Sequence, residues 1–159
     1  MTNPRVETLV EKLTRGISKS LEVFRSVEPD QWEQPIFDDP ESWDLKDLVA
    51  HFIYSEEHVL SIAQEIAFGG EGSPEDIDID AFNENGIEKL RHRSVDELLD
   101  ILTDVRKASI AWVREIDELE LDRVGRHPVL GASSVETIIN SIYGHQLLHM
   151  REIAPRFRN

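Results

Sequence analysis

Apolar residues recur at helical spacing in four segments of the chain, and this pattern predicts four long amphipathic helices. The first segment is expected to end near Glu28 and Pro29. The second runs from about Leu45 to Ala67, with Asp44 as its N-cap. The apolar stripes of these two helices consist of Val6, Leu9, Val10, Leu13, Ile17, Leu21 and Phe24, and of Leu45, Leu48, Val49, Phe52, Val59, Leu60, Ala63 and Ile66.

Capping signals mark the start of the other two helices. The sequences Ser94 to Glu97 and Ser133 to Glu136 both have the form of a capping box, with a hydroxyl residue followed three positions later by Glu. Pro155 is expected to end the fourth helix. No segment alternates apolar and polar residues as a strand would, and no internal repeat is evident. The apolar stripes are Val95, Leu98, Leu99, Leu102, Val105 and Trp112, and Val135, Ile138, Ile139, Ile142 and Ile153.

The connection between the second and third helices, Phe68 to Arg93, is 26 residues long. This is too long for a tight turn, and it contains a predicted short helix around Ala81 to Leu90. A crossover of this length lets the second and third helices run in the same direction. We therefore predict an all-α protein: a four-helix bundle in up-down-down-up order, with a long crossover between helices 2 and 3.

Length and composition limit the possible classes of protein. A chain of 159 residues is expected to form one domain over residues 1–159. No apolar run approaches membrane-spanning length and no signal-peptide pattern is present, so we expect a cytoplasmic protein without a membrane partner. The formal net charge of −15 argues against nucleic acid as a partner, since such a surface repels phosphates. With no cysteine, any thiol chemistry needs a thiol from outside.

His145 and His149 lie four residues apart within the apolar stripe of the fourth helix. Four residues are about one helical turn, so both imidazoles leave the same side of the helix. Burying an imidazole is costly unless its nitrogens find partners, and two neighbouring rings can share a divalent metal. The alternative is that each ring is a core histidine hydrogen-bonded to a backbone carbonyl. A metal site needs a third ligand.

His51 is the candidate for that third ligand, because it borders the apolar stripe of the second helix. Glu56 lies nearer the centre of the same stripe, which is unusual for a carboxylate. It is a candidate catalytic residue, either as a general base or as the acceptor for a ligand N–H. The alternative is that Glu56 pairs with a buried Arg or Tyr.

Heights along the helices support this set of three. At about 1.5 Å per residue, His51 lies about 9 Å from the start of its helix. His149 and His145 lie about 6 and 12 Å from the end of the fourth helix. If the two helices are antiparallel, the level of His51 lies between those of His149 and His145. A parallel pair would separate His51 from His149 by about 13 Å, too far to share a metal at bonds of about 2.1 Å.

Several of these residues, in their order and spacing, resemble the pattern of the DinB-like (damage-inducible, YfiT-like) metalloprotein superfamily: Trp43, His51, Glu56, His145 and His149. The loop from Gly125 to Gly131 is also similar, and the resemblance covers roughly residues 6 to 153. It implies a single DinB-like helical bundle, often dimeric, with a three-histidine metal site. Carried over by position, the metal ligands would be His51, His145 and His149. Many members have Gln at the position of Glu152 and a further His at the position of Leu148. These differences affect the choice of subfamily and not the three ligands.

Three neutral imidazoles leave coordination positions open, as in catalytic metal sites. We expect a divalent transition metal, zinc or nickel, that lowers the pKa of a bound water or thiol. Gln146 completes a His-Gln-x-x-His sequence that resembles the zinc-protease motif. An amide cannot replace the Glu that serves as the general base of those proteases, so that function is excluded. Gln146 is instead expected to form a hydrogen bond between helices.

The leading functional hypothesis is a metal-dependent enzyme similar to the thiol-dependent transferases and isomerases of the superfamily. It would act on a small-molecule substrate together with an external low-molecular-weight thiol. The alternatives are a metal-dependent hydrolase and a non-catalytic metal-binding stress-response bundle. A thiol cofactor with carboxylates would need a cationic anchor, for which Arg123, Arg126 and Arg151 are candidates.

The remaining histidines lack metal-ligand spacing. His58 lies two turns beyond His51, at the mouth of the site or on the surface, and His92 is expected on the surface. His127 precedes a proline in a loop that would have to fold inward to approach the metal. Leu147 and Leu148 are predicted to project away from the histidine stripe. A homodimer formed through the fourth helix would cover them; the alternative is cover by the N-terminal segment or a loop.

Overall fold

Four long helices form the bundle in this computed structural model, which describes residues 3–37 and 42–157. The predicted all-α bundle and its long crossover are confirmed. None of the helices in the two described ranges is both long and apolar enough to cross a membrane. The bundle helices are α1 (Pro4–Ser26), α2 (Leu45–Ala67), α4 (Val95–Glu115) and α6 (Val135–Ile153).

The two ends of the bundle show the direction of each helix. At one end, the late residues of α1 and α6 pack against the early residues of α2 and α4. At the other end, the early residues of α1 and α6 meet the late residues of α2 and α4. Arg5, in the first turn of α1, donates to Glu136, in the first turn of α6, at 2.7 Å. Helices α1 and α6 are therefore parallel to each other and antiparallel to α2 and α4, in the predicted up-down-down-up order.

Side-chain caps set the starts of the helices. Asp44 accepts from the backbone N–H of Asp47 at 2.8 Å to open α2, as predicted. The predicted cap of the last helix is wrong by one residue, because the N-cap of α6 is Ser134 rather than Ser133. The Ser133 hydroxyl donates to the Gly131 carbonyl at 3.1 Å, and its backbone belongs to a strand. The last helix ends at Ile153, before Pro155 as expected.

The crossover contains a helix, α3 (Ile79–Leu90), close to the short helix predicted there. It packs on α2, where Ile87 joins Ala50 and Tyr54 in a small apolar cluster. Gly86 makes this approach possible, because a Cβ at that position would overlap the Tyr54 ring. Helix α3 is thereby held beside the part of α2 that carries His51.

A short hairpin joins the end of α4 to the start of α6, and the sequence pattern did not predict it. After the single turn α5 (Glu118–Leu121), strands β1 (Val124–His127) and β2 (Gly131–Ser134) pair antiparallel. Four-residue strands are too short to produce a visible alternation. Gly131 has a φ of 75° at the hairpin's turn, which favours glycine. The bundle, rather than this hairpin, supplies the core, and the hairpin covers one side of α2 and α6.

Candidate metal site

The structure brings together the three histidines that the sequence singled out. The ring centroids of His51 and His145 lie 4.7 Å apart, those of His145 and His149 4.8 Å, and those of His51 and His149 5.5 Å. One nitrogen of each ring lies within 4.8 Å of the others. Antiparallel α2 and α6 thus place His51 level with the one-turn pair on α6.

Two of the ring nitrogens lie near the spacing that a shared metal ion requires, and the third lies close to them. The Nε2 atoms of His51 and His145 lie 2.9 Å apart. Two imidazoles on a tetrahedral ion, at bonds of 2.0–2.1 Å, would place their nitrogens roughly 3.3 Å apart. Nδ1 of His149 is buried and makes no hydrogen bond, although a Glu152 oxygen lies 3.5 Å away. Imidazole nitrogen is a ligand that divalent transition metals favour, so the donor set fits such an ion.

A hydrogen-bond relay orients His51, and the Ser55 hydroxyl also lies 3.3 Å from the same ring nitrogen, Nδ1. The Tyr54 hydroxyl donates to Asn83 Oδ1 at 3.0 Å and lies 2.8 Å from His51 Nδ1. Since its one proton goes to Asn83, this hydroxyl accepts from the imidazole Nδ1–H. The lone pair of Nε2 then faces His145. Such contacts behind a ligand histidine orient it and raise its basicity.

The sequence pattern did not predict this relay. Tyr54 follows His51 by three positions on one helix face, which is a signal that spacing alone could have provided. Asn83 belongs to α3, on the far side of the crossover, so only the packing of α3 on α2 shows the contact.

Burial keeps two of the three imidazoles neutral. Desolvation lowers the pKa of His51 to about 3, and the neighbouring rings of His145 and His149 lower it further in the same direction. Desolvation, together with the nearby His149 and His127, lowers the pKa of His145 to about 4. Both are far below the ordinary histidine pKa of about 6.5. At neutral pH these two rings therefore carry lone pairs available for a cation.

Behind the histidines, a buried ion pair connects all four bundle helices. Arg106 on α4 is 1% exposed and donates to both oxygens of Glu56 on α2, at 2.7 and 2.9 Å. It also donates to the Leu13 carbonyl on α1 at 2.8 Å and to Gln146 Oε1 on α6 at 2.6 Å. The Ser109 hydroxyl donates to Glu56 at 2.8 Å. Because each charge has several partners, the cost of burying the pair is largely offset.

These contacts bear on two predictions. Gln146 forms the expected hydrogen bond between helices. Glu56 pairs with a buried arginine, the alternative that the sequence left open, and in this structure it is not the acceptor for a ligand N–H. Its oxygens are taken by Arg106 and Ser109. Arg106 lies one turn beyond Leu102 on the apolar face of α4. This position, unusual for a charged residue, is the sequence feature that could have identified it as the partner of Glu56.

The other histidines have distinct environments. His127 lies in β1 rather than in a loop and is buried against α6. Its Nδ1 accepts from the N–H groups of Val129 and Leu130 at 3.1 and 3.0 Å, and its Nε2 lies 3.1 Å from the Ser141 hydroxyl. It fastens the hairpin to α6 and is not part of the ligand group. His92 is exposed, as expected.

A cavity of about 570 Å³ opens beside the three histidines. It lies between α2, α3, α6 and the hairpin, and it leads from the surface to the candidate metal site. His58 is on its wall, half-buried, with its ring 4.4 Å from that of Phe82. Apolar side chains form most of the wall: Trp43, Phe52, Val59, Ile79, Phe82, Pro128, Val129, Leu130, Ile142 and Leu148.

The predicted cationic anchors do not reach this cavity. Arg106 is the one Lys or Arg among the described residues that line it, and its charge is paired with Glu56. Arg126 donates to the Ser73 carbonyl and to Glu75, at 2.8 and 3.0 Å. Neither Arg123 nor Arg151 is among the lining residues. None of the three candidate arginines is therefore among the residues that line this cavity.

The two leucines considered as a dimer surface do not share one environment. Leu147 is half-buried and lines a second, smaller cavity together with Gly16 and Val23 of α1. Leu148 is 58% exposed and lies at the mouth of the large cavity. This division follows from the turn of about 100° between successive residues of a helix.

The fold and the cluster define a helical-bundle protein with three histidines on the wall of a largely apolar cavity. The chain matches the family model of the DinB superfamily over residues 12–153 and belongs to that superfamily. The comparison with curated proteins found no match.

Solved structures share the fold at low sequence identity. YfiT from Bacillus subtilis, described as a probable metal-dependent hydrolase with an unusual four-helix bundle topology, is 15% identical with a TM-score of 0.78; the match covers 98% of this chain and 87% of YfiT. A mycothiol-dependent maleylpyruvate isomerase is 15% identical with a TM-score of 0.76, over 93% of this chain and 60% of the isomerase.

A third similar structure bears on the choice of partner. The colibactin self-resistance protein ClbS, in complex with a dsDNA, is 14% identical with a TM-score of 0.72; the match covers 96% of this chain and 92% of ClbS. The fold therefore also occurs in a protein bound to duplex DNA. The expectation that this chain binds no nucleic acid rests on its net charge alone, and it stays a prediction.

Proposed function

We propose that His51, His145 and His149 bind one divalent transition metal, zinc or nickel, and that the protein is a metal-dependent enzyme acting on a small molecule. The observation that carries this proposal is the meeting of three ring nitrogens within 4.8 Å on the wall of a 570 Å³ cavity. When bound, such a metal lowers the pKa of a coordinated water or thiol and polarises a substrate oxygen.

The residues around that site would have different roles. Tyr54 and Asn83 hold His51 so that its Nε2 faces the other rings. The Arg106–Glu56 pair and Gln146 fix the spacing of α2, α4 and α6 behind the histidines. A substrate that fills this largely apolar cavity would displace water from it, which strengthens polar interactions there.

Glu56 keeps two possible roles. General-base action stays a prediction, since Glu56 is among the residues that line the cavity. Its contacts support a positioning role, because a carboxylate held by Arg106 and Ser109 has few free lone pairs for a proton. We propose the positioning role as the main contribution of Glu56.

The reaction class that we propose first is transfer or isomerisation with an external low-molecular-weight thiol. It is supported by the shared fold of the mycothiol-dependent isomerase. Metal-dependent hydrolysis is the second candidate, supported by the likeness to YfiT. Both use the same three histidines. A non-catalytic metal-binding bundle is the remaining alternative.

A paired activity screen separates these classes. Zinc-loaded and nickel-loaded protein would be assayed with electrophilic substrates, with and without added thiols, beside metal-stripped protein. Turnover that needs both metal and thiol supports the transferase, and turnover with metal and water alone supports the hydrolase. Metal binding without turnover of any substrate supports the non-catalytic bundle. For alanine variants of His51, His145 and His149, the matched control is His92→Ala. His92 is exposed and does not belong to the cluster.

A further inference from the structure

The large cavity has an unusual balance of apolar surface and charge. Ten apolar residues line it, and their aromatic members Trp43, Phe52 and Phe82 come from three different parts of the chain. Its volume of about 570 Å³ lies within the range of about 300–1,000 Å³ typical of pockets for drug-sized ligands. Burying this much apolar wall against a ligand favours a ligand that is itself apolar.

The cavity also lacks an unpaired positive charge among the described lining residues. The guanidinium of Arg106 is taken by Glu56, Gln146 and the Leu13 carbonyl. The chain as a whole carries a net charge of −15. A carboxylate or phosphate entering the cavity would lose its hydration and gain no neighbouring cation apart from a bound metal. Moving an ion out of water without a partner is strongly unfavourable.

Apart from the Arg106–Glu56 pair, the polar groups on the wall are hydroxyl, amide and imidazole groups. His58 Nε2 is buried and has no hydrogen-bond partner, and the ring lies against Phe82. Burial lowers the pKa of His58, so its ring is neutral at neutral pH. A neutral imidazole offers one donor and one acceptor. Because Nε2 has almost no surface open to solvent, the His58 ring has to rotate on the cavity wall to hydrogen-bond through this nitrogen with a polar group of a ligand.

We propose that this cavity binds an uncharged, largely apolar aromatic small molecule, which lies between Phe82 and the hairpin and hydrogen-bonds to His58. This inference rests on the proposed function only in taking the three histidines as the reactive end of the same cavity. The proposed substrate is uncharged, because the described lining residues offer no unpaired cation that could anchor an anion.

Two dyes that differ by one charged group test the proposal. N-phenyl-1-naphthylamine is neutral and aromatic, and 1-anilinonaphthalene-8-sulfonate is the same molecule with a sulfonate. Fluorescence titrations of metal-free full-length protein should show saturable binding of the neutral dye at one per chain. The sulfonate should bind at least about tenfold more weakly, because its charge would be buried without a partner. Equal binding, preference for the sulfonate, or no binding of the neutral dye would overturn the proposal.

A variant that adds the missing charge sharpens the test. Ile79→Lys places a cation on the cavity wall and should reverse the preference toward the sulfonate. The matched control is Phe68→Lys, which adds the same charge at a residue that is 85% exposed and does not line the cavity. If Ile79→Lys does not fold, Leu130→Lys at the cavity mouth serves instead. An unchanged preference in the folded cavity variant, or the same change in the control, would contradict the proposal.

Two further measurements distinguish failure of the ligand inference from failure of the proposed function. Calorimetry with zinc alone measures the metal site independently of the dyes. If zinc binds and the neutral dye does not, the ligand inference fails and the proposed function stands. If the dye binds and zinc does not, the ligand inference stands and the proposed function fails. Sedimentation with and without dye shows whether a second copy of the chain covers the cavity. Dye binding that occurs only as a dimer dissociates would overturn the assignment to a small molecule.

Discussion

The Nε2 atoms of His51 and His145 lie 2.9 Å apart, although the two residues are 94 positions apart in the chain and belong to antiparallel helices. Two neutral imidazole nitrogens at this distance need a proton or a cation between them, since their lone pairs otherwise repel. The relay through Tyr54 and Asn83 already assigns the His51 proton to the other ring nitrogen. This arrangement supports the proposal that the two rings form part of a metal site.

The first prediction concerns the relay. Tyr54→Phe removes the closer of the two hydroxyls near His51 Nδ1, so metal affinity should fall by about 10- to 100-fold. Competition with a chelator of known affinity measures the change. Tyr143→Phe is the matched control, because Tyr143 is the other tyrosine of the chain and lies against α1. Equal metal affinity in both variants would show that the relay does not orient the ligand.

The second prediction concerns protons released by metal binding. A histidine with an ordinary pKa of about 6.5 is about nine-tenths protonated at pH 5.5, so three such ligands would release nearly three protons. The pKa values of about 3 for His51 and about 4 for His145 mean that these two rings are already neutral at that pH. Calorimetry at pH 5.5 in buffers of different ionisation enthalpy should therefore show release of at most about one proton. Release of two or more would contradict the burial argument.

The same shifts affect stability in the absence of metal. Because both folded-state pKa values are lowered, the unfolded chain binds more protons than the folded one between about pH 6.5 and pH 4. Folding stability from these two groups is fully present above pH 6.5 and is lost as the pH falls. The His51→Gln variant should lose less stability than the wild type over this window, by up to about 1.4 kcal/mol per pH unit. Parallel loss in urea titrations of the two proteins would contradict this.

The third prediction concerns the buried ion pair. Glu56→Gln leaves the Arg106 charge without its partner, and the free energy of unfolding should fall by about 3–5 kcal/mol. Urea denaturation measures this loss. Glu57→Gln is the control, since Glu57 is the exposed neighbour of Glu56 on the same helix. If Glu56→Gln unfolds like the control but loses turnover with its metal retained, the general-base role would be favoured over the positioning role.

The fourth prediction concerns assembly. Leu148 is exposed at the cavity mouth, together with Val129 and Leu130, and a homodimer through α6 would cover this apolar edge. The dimer stays a prediction, which sedimentation at micromolar concentration tests. A wild-type dimer that becomes monomeric in Leu148→Glu would support it, while a wild-type monomer would contradict it.

Helical periodicity and spacing predicted most of the bundle and the residues that meet at its centre. The apolar stripes located all four bundle helices, and the length of the crossover indicated their directions. The one-turn spacing of His145 and His149, with the height of His51, pointed to the cluster. These features depend on the regular geometry of helices, which sequence spacing expresses directly.

What the sequence did not predict depends on contacts across the chain. The hairpin consists of strands too short to be recognised by alternation, and it places His127 against α6. Asn83 reaches Tyr54 only because Gly86 lets α3 pack closely on α2. Arg106 was not singled out, because a charged residue on an apolar stripe acquires its meaning only with its partner Glu56.

Metal stoichiometry tests the central claim most directly. Metal-stripped protein, dialysed against zinc or nickel at neutral pH and analysed by mass spectrometry of the metal, should hold one ion per chain. His92→Ala should hold the same amount, while His51→Ala, His145→Ala and His149→Ala should each lose most of it despite remaining folded. No stoichiometric metal in the wild type, or full occupancy in all three ligand variants, would contradict the account.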